Sequence, residues 1–311
     1  MPIICEHHNA TKLRGFDRAP LYECKDCGLI FSDKYGKALD SRAIYNDYYK
    51  NEISSRFRFG VEWIIRAFRY FRALKVYTIG PRAKSILDIG SGRGFMLYYL
   101  KKYFGYKRAA GTQISKNAYE FSKNRLKLEI YDQDLLEAFP DQPGFDIVTM
   151  WHVLEHVAEP ERYIEKIGRL LKPGGKIIIE VPNFDSWSRR FTGSYWLGLD
   201  PSYHITYFTP VSLARLLEKY GFKTKVSHTF SLEYSTFISA QSFTSLLTGT
   251  DHLLFRYLQE GDFSLRLLLH VFLIMLLSPI CFLINILFYF SSKGEVLLVV
   301  GKQMERTSSG G

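Results

Sequence analysis

The chain has 311 residues, 47% apolar and 16% aromatic, which exceeds one average domain and is ample for a buried core. Its 41 Lys and Arg against 31 Asp and Glu leave a net charge of +10; this suits an anionic partner, whether nucleic acid, acidic lipid or phosphorylated substrate, without choosing among them. Four cysteines, three of them within the first 27 residues, exclude a disulfide framework.

The N-terminus, MPIICEHHNATKLRGF, lacks the apolar run of a secretory signal, so a reducing cytoplasm is expected. Cys5-x2-His8 and Cys24-x2-Cys27-Gly28 form two half-sites separated by fifteen residues, matching the two knuckles of a small zinc ribbon over residues 1–35. The expected ligands are Cys5, His8, Cys24 and Cys27, with His7 the alternative to His8. Four protein ligands would make this Zn2+ structural. Residues 36–80 read as a linker or lid, with Tyr45, Tyr48 and Tyr49 preceding a helix near 56–79. That helix interleaves Arg56, Arg58, Arg66, Arg69, Arg72 and Lys75 with Phe57, Phe59, Trp63, Phe68, Tyr70 and Phe71. An amphipathic helix with a solvated basic face is the simpler reading, ahead of a lipid or nucleic-acid footprint.

From Ser85 the pattern changes to short β-branched runs alternating with helical periods, which predicts a parallel sheet wound with helices. Strands are expected near 85–89, 109–113, 128–131, 145–150, 176–181, 223–230 and 295–301. Helices are expected near 94–104, 116–126, 159–171 and 210–220. The main domain then covers 81–234 and 291–303, interrupted by an insert at 235–290 and followed by a disordered tail at 304–311. Residues 265–290 are almost continuously apolar, long enough for one membrane span. A single crossing would strand VLLVVGKQ at 296–303 on the wrong side of the bilayer. Ser278-Pro279 offers a break into two halves of about a dozen residues, so a monotopic hairpin dipping into one leaflet is expected. The alternative is a pair of buried helices or an oligomer interface in a soluble protein.

The run Ser85-Ile-Leu-Asp-Ile-Gly-Ser-Gly-Arg-Gly-Phe95 carries an apolar strand into three glycines and a helix. Glycines there permit a tight turn and close approach of backbone to a ligand. Asp88 precedes the glycines and no phosphate-binding lysine follows, so the loop suits a ligand without phosphates. Further along come Phe145-Asp146-Ile-Val, His152-Val-Leu-Glu155-His156-Val and Arg169-Leu-Leu-Lys-Pro-Gly-Gly175, in that order.

Together these motifs resemble the class I S-adenosylmethionine-dependent methyltransferases from Lys84 to about Phe230, with a closing strand at 295–301. The resemblance implies an α/β fold, a Rossmann-like sheet of seven strands with helices on both faces. It further implies that Gly90, Ser91, Gly92 and Gly94 line the methionine part of S-adenosyl-L-methionine, with Asp88 anchoring the loop. Gln113, next to Ile114, stands where the family has an acidic ribose ligand; an amide brings no charge. Asp134 and Leu135 stand where the family reads adenine, although a helix N-cap accounts equally well for an aspartate there. Trp151 lies at the same edge. Pro201-Ser-Tyr-His204-Ile-Thr-Tyr-Phe-Thr-Pro210 and Leu216-Leu-Glu-Lys-Tyr-Gly-Phe222 resemble the branch acting on small molecules and cell-surface polysaccharides. N-terminal knuckles like the one here precede many members of that branch.

Methyl transfer to a hydroxyl needs an oxygen held in line and a base for its proton. His152, Glu155 and His156 at i, i+3 and i+4 can share a face, and His204 falls over the same edge. His156 or His204 is the expected base, with the other orienting the acceptor and His152 beside them. A divalent metal held by His152, Glu155, His156 and His204 is a further arrangement, and a metal-free helix start is its alternative. Trp196 is placed either against an acceptor or in the core. The expected acceptor is a sugar or lipid-linked glycan at the cytoplasmic membrane face, with a quinone-like lipid as one alternative. A nucleic-acid-binding or RNA-methylating protein is another, disfavoured by the apolar insert. Oligomers through that insert are also conceivable.

Overall fold

The computed structural model describes residues 7–16, 20–36, 62–139, 141–261 and 263–304. Cys5, the stretch 37–61 with Tyr45, Tyr48 and Tyr49, and the tail from 305 lie outside them.

Three short strands open the chain: β1 (Ala10–Lys12), β2 (Leu21–Cys24) and β3 (Ile30–Ser32), antiparallel and consecutive. Helix α1 (Glu62–Ile79) follows. The wound sheet then begins with β4 (Ser85–Ile89), α2 (Phe95–Tyr103), β5 (Arg108–Thr112), α3 (Lys116–Glu120), β6 (Glu129–Tyr131) and α4 (Leu135–Ala138). It continues with β7 (Phe145–Trp151), α5 (Pro160–Leu170), β8 (Leu171–Pro182) and α6 (Trp187–Thr192). After β9 (Thr206–Tyr207) come α7 (Pro210–Lys219) and β10 (Phe222–His228), the insert helices α8 (Ser235–Thr248), α9 (Leu253–Glu260) and α10 (Leu265–Leu287), and finally β11 (Val296–Gln303).

The main sheet has seven strands in the order β10-β11-β8-β7-β4-β5-β6, as the motif order implies. Parallel pairing runs from β8 through β6, and β11 enters antiparallel to both its neighbours. Strand β4, SILDI, is buried at every position, because helices cover both faces of such a sheet and an alternating pattern would leave polar groups in the core. One face packs Ile164, Ile167, Leu213 and Leu217 against Leu87, Val148 and Ile179; the other packs Ala73, Val76, Leu97 and Leu100 against Ile86, Ile147 and Leu298. Local signals set the boundaries. Pro160 and Pro210 open α5 and α7 where no amide hydrogen is needed, and Thr209 with Ser212 closes a capping box on α7.

Two expectations change. The N-terminal strands do not form a separate module: β3 pairs with β9, giving a four-stranded sheet in the order β1-β2-β3-β9. Phe16, Leu21 and Ile30 pack with Phe184, Trp196 and Tyr207, which settles Trp196 as a core residue. The apolar insert is also no hairpin, since α10 runs unbroken for 23 residues with Pro279 inside it. Proline removes one amide donor, but a helix held by tertiary packing tolerates that. Here α10 lies along α8, and Asn285 on its inner face donates to Ser239 of α8 at 3.0 Å while accepting the Trp187 indole N–H at 3.1 Å. His270 meets the hydroxyls of Thr248 and Thr250 at 2.9 and 2.7 Å.

Candidate active site

The glycine turn leaves β4 with Gly90, Gly92 and Gly94 all at left-handed φ, 68°, 56° and 72°, a conformation that costs other residues about 1–2 kcal/mol. A Cβ on Gly90 would stand 2.6 Å from Val153 Cγ2, so the turn is closed from behind as well as strained. Ser91 ties the turn to β5, its N–H reaching the Thr112 carbonyl at 2.9 Å. Asp88 is buried under the turn and accepts the Thr149 hydroxyl at 2.6 Å. Burial pushes its carboxyl up to about 6, opposed by Thr149, Arg72 and Arg69. Backbone amides and a buried carboxylate below a tight turn fit the zwitterionic methionine end of S-adenosylmethionine.

The other expected cofactor contacts divide. Gln113 is buried at the end of β5 with its Oε1 accepting the Ser115 N–H at 3.0 Å; its amide NH2 is then the group available to a ribose. Ile114 is half-buried beside it. Asp134 acts as an N-cap, its Oδ1 accepting from Leu136 N at 2.9 Å and its Oδ2 taking the Tyr163 hydroxyl, while Leu135 sits in the core. Trp151 ends β7 with the Arg72 guanidinium 4.6 Å above its ring.

The histidines cluster past β7. Glu155, His156 and His204 bring their ligating atoms within 4.8 Å of one another. His156 Nδ1 lies 3.0 Å from the Tyr203 carbonyl and His204 Nδ1 2.9 Å from the Gly198 carbonyl. A carbonyl can only accept, so both rings carry the proton on Nδ1 and the lone pair on Nε2. Burial lowers the pKa of each. Neutral imidazoles with Nε2 lone pairs can serve as a base or as metal ligands.

His152 belongs to a different arrangement. Its backbone is left-handed, φ 53°, which turns the ring between two carboxylates, Glu155 at 3.3 Å and Glu180 at 3.4 Å. Burial alone would lower its pKa, but the two carboxylates raise it to about 9. Its two carboxylate partners thus favour the protonated ring, whereas burial favours the neutral form of His156 and His204. Glu180, at the end of β8, is held down to about 2 against its burial by His152 and by Lys75, whose ammonium is 3.7 Å away. The sequence signal for Glu180 is a lone charge in the apolar run IIIEVP, since a buried carboxylate needs a partner. The Tyr234 ring centroid lies 4.3 Å from that of His152. Its neighbour Glu233 is gripped by Arg69 at 2.7 Å and Arg72 at 2.8 Å, so the basic face of α1 is spent partly on holding this segment rather than on solvent. The indole N–H of Trp151, both oxygens of Glu155 and Oε2 of Glu180 are buried without a hydrogen-bond partner. Such atoms cost about 1–3 kcal/mol each unless a ligand satisfies them.

The sequence profile of a methyltransferase domain matches residues 62–227. The chain belongs to the methyltransferase family. Among curated relatives, a ubiquinone biosynthesis O-methyltransferase of Coxiella burnetii is 32% identical over 107 residues, 33% of this chain and 45% of that protein. The namesake from Thiobacillus denitrificans is 27% identical over 172 residues, 48% of this chain and 69% of that one. The match thus spans about half the length of the Coxiella relative. Phosphoethanolamine N-methyltransferase 2 of Haemonchus contortus, solved with S-adenosyl-L-methionine, superposes with a TM-score of 0.52 at 17% identity, covering 86% of this chain and 61% of that one. At that identity the likeness speaks for the fold, the S-adenosylmethionine-dependent methyltransferase sheet.

Near the N-terminus, a second group of potential ligands converges among the described residues. His7, Cys24 and Cys27 lie within 4.8 Å of one another. His7 takes the place expected for His8, which is exposed, because a left-handed φ of 54° at His7 turns its ring inward.

Proposed function

We propose that this methyltransferase transfers the methyl group of S-adenosylmethionine to a hydroxyl of a membrane-borne acceptor, a sugar or lipid-linked glycan at the cytoplasmic face. The observation that carries the reading is the outer face of α10. Its polar residues His270 and Asn285 point inward, whereas Leu265, Phe272, Met275, Leu283 and Leu287 are more than half exposed, along a helix about 35 Å long. Because β11 must return to the sheet, the helix lies along a surface instead of crossing it. Burying eight or so such side chains in one leaflet is worth on the order of 10 kcal/mol, and the net charge of +10 complements anionic lipid. A quinone-like phenol is the second reading, favoured by the names of the curated relatives. The carboxylate oxygens of Glu155 and Glu180 that accept no hydrogen bond, although both groups are ion-paired with His152, suit the hydroxyls of either acceptor.

In this reading His204 or His156 accepts the acceptor proton at Nε2, and the other, with Glu155, orients the oxygen or shares a divalent cation with it. S-adenosylmethionine supplies the electrophilic methyl group. His7, Cys24 and Cys27 would supply three of the four ligands of a structural Zn2+: the 3.4 Å between Cys27 Sγ and His7 Nδ1 matches the edge of about 3.5 Å expected for a tetrahedral site with Zn–S near 2.3 Å and Zn–N near 2.05 Å.

Calorimetry with S-adenosylhomocysteine tests the cofactor site: micromolar binding by wild type and none by Asp88→Ala or Gly92→Arg is expected, and no binding by folded wild type would sink the proposal. Incubation with labelled S-adenosylmethionine and a bacterial lipid extract then decides the acceptor. Label in acid-labile lipid-linked sugar supports the first reading, and label in quinols the second. Elemental analysis should find one zinc per chain that Cys27→Ala loses; any second metal should disappear with Glu155→Ala.

A further inference from the structure

We propose that the N-terminal metal site is also the anchor of the reactive edge, and that Glu161 is the positioning residue joining the two. The inference rests on the zinc reading above and adds a connection that neither the motifs nor the family imply. The metal-facing nitrogen of His7 is Nδ1, toward Cys27. Its other nitrogen, Nε2, meets the Tyr35 hydroxyl at 3.0 Å, which itself donates to Glu161 at 3.2 Å, and Glu161 lies 3.7 Å from Nε2. Glu161 is buried in the first turn of α5, so it belongs to the catalytic fold rather than to the N-terminal strands. A histidine ligand backed by a carboxylate is the usual way a metal site fixes ring orientation. Here the backing carboxylate comes from 154 positions along the chain (161 − 7).

From the cysteines the connection continues through backbone. Cys24 ends β2, which pairs with β3, and β3 pairs with β9 at Ile30 with Tyr207 and Phe31 with Thr206. The Ser32 N–H bonds the Ile205 carbonyl at 2.9 Å, and the Ile205 N–H bonds the Glu155 carbonyl at 2.8 Å. The Thr206 hydroxyl reaches the Leu154 carbonyl at 3.1 Å. The segment carrying His204 is therefore clamped between β3 outside and the Leu154–His156 turn inside. His204 and His156 stand with ring centroids 4.8 Å apart as a result. With the metal gone, His7 and the cysteine turn lose their common centre, β3 loosens, and the His204 ring is no longer fixed against Glu155 and His156.

The test uses the full-length zinc-loaded protein. Zinc affinity is read by competition with a chromophoric chelator, and the ring C–H signals of His204 and His156 by NMR, before and after zinc removal. Glu161→Gln should release zinc about 10–100-fold more readily while S-adenosylhomocysteine binding stays within about twofold. Removing zinc from wild type should shift or broaden the His204 signal, and restoring zinc should recover it. Tyr35→Phe, which keeps the ring, is a second variant should Glu161→Gln fold poorly, with a smaller loss in the same direction. Zinc that leaves without moving either histidine signal overturns the coupling alone, and unchanged zinc affinity in both variants overturns the role given to Glu161. A wild-type protein that binds no zinc overturns the zinc reading beneath it.

Discussion

Gly94→Val is expected to eliminate measurable S-adenosylhomocysteine binding and to lower stability by roughly 2–5 kcal/mol, the sum of about 1–2 for a left-handed side chain and 1–3 for overpacking. Gly94 caps α2 at φ 72°. A Cβ there would lie 2.6 Å from Leu128 Cδ1 and 3.2 Å from Ser122 Oγ. Valine is worse than alanine because its branched side chain tolerates positive φ least. Relief requires the turn to swing away from the helix, moving the amides of Gly90 through Gly94 that form the cofactor cradle. Urea unfolding and calorimetry on one preparation separate the two effects. A variant with wild-type affinity would show that the turn does not contact the cofactor.

The second large effect concerns Glu295, buried at the start of the last strand. Complete burial pushes its carboxyl up to about 7, although Ser188 and the Trp196 indole donate to Oε2 at 2.7 and 3.3 Å; Oε1 has no partner. Because the folded pKa lies above the ordinary 4.5, the stabilisation is complete below about pH 4.5 and is lost as the pH rises through 7. The loss is about 3 kcal/mol when the whole shift is realised. Glu295→Gln keeps an oxygen for Ser188 and Trp196 and cannot ionise. Its melting temperature should exceed that of wild type by on the order of 5 °C at pH 8.5, with the two converging near pH 5. Parallel curves across that range would mean that Glu295 is already neutralised by a group the fold brings to it.

How much was legible in the sequence follows from how local each signal is. The strand-glycine-helix run, the order of the wound elements and the candidate chemistry of His156 and His204 could be read directly. Periodicity and turn residues act within a few positions, and the motif order repeats the sheet order. The helix that begins at Pro160 and the capping box at Thr209 were equally local. Glu180 was visible only as an odd charge in an apolar strand, and its partner His152 was grouped with His156 and His204 because proximity to two carboxylates does not show in a linear chain.

Sequence alone determined that the protein would wind a methyltransferase sheet and place a glycine cradle at its edge, because backbone conformation and hydrophobic period are written residue by residue. It also determined that a long apolar segment would be present. Tertiary structure decided that this segment is one continuous helix, since packing against α8 outweighs the donor lost at Pro279. It decided that His7 and not His8 faces the cysteines, through one left-handed turn. It also joined the N-terminal strands to β9, because unpaired strand edges seek partners regardless of distance along the chain. Such contacts depend on which surfaces the folded layers bring together, and no short window of sequence contains that information.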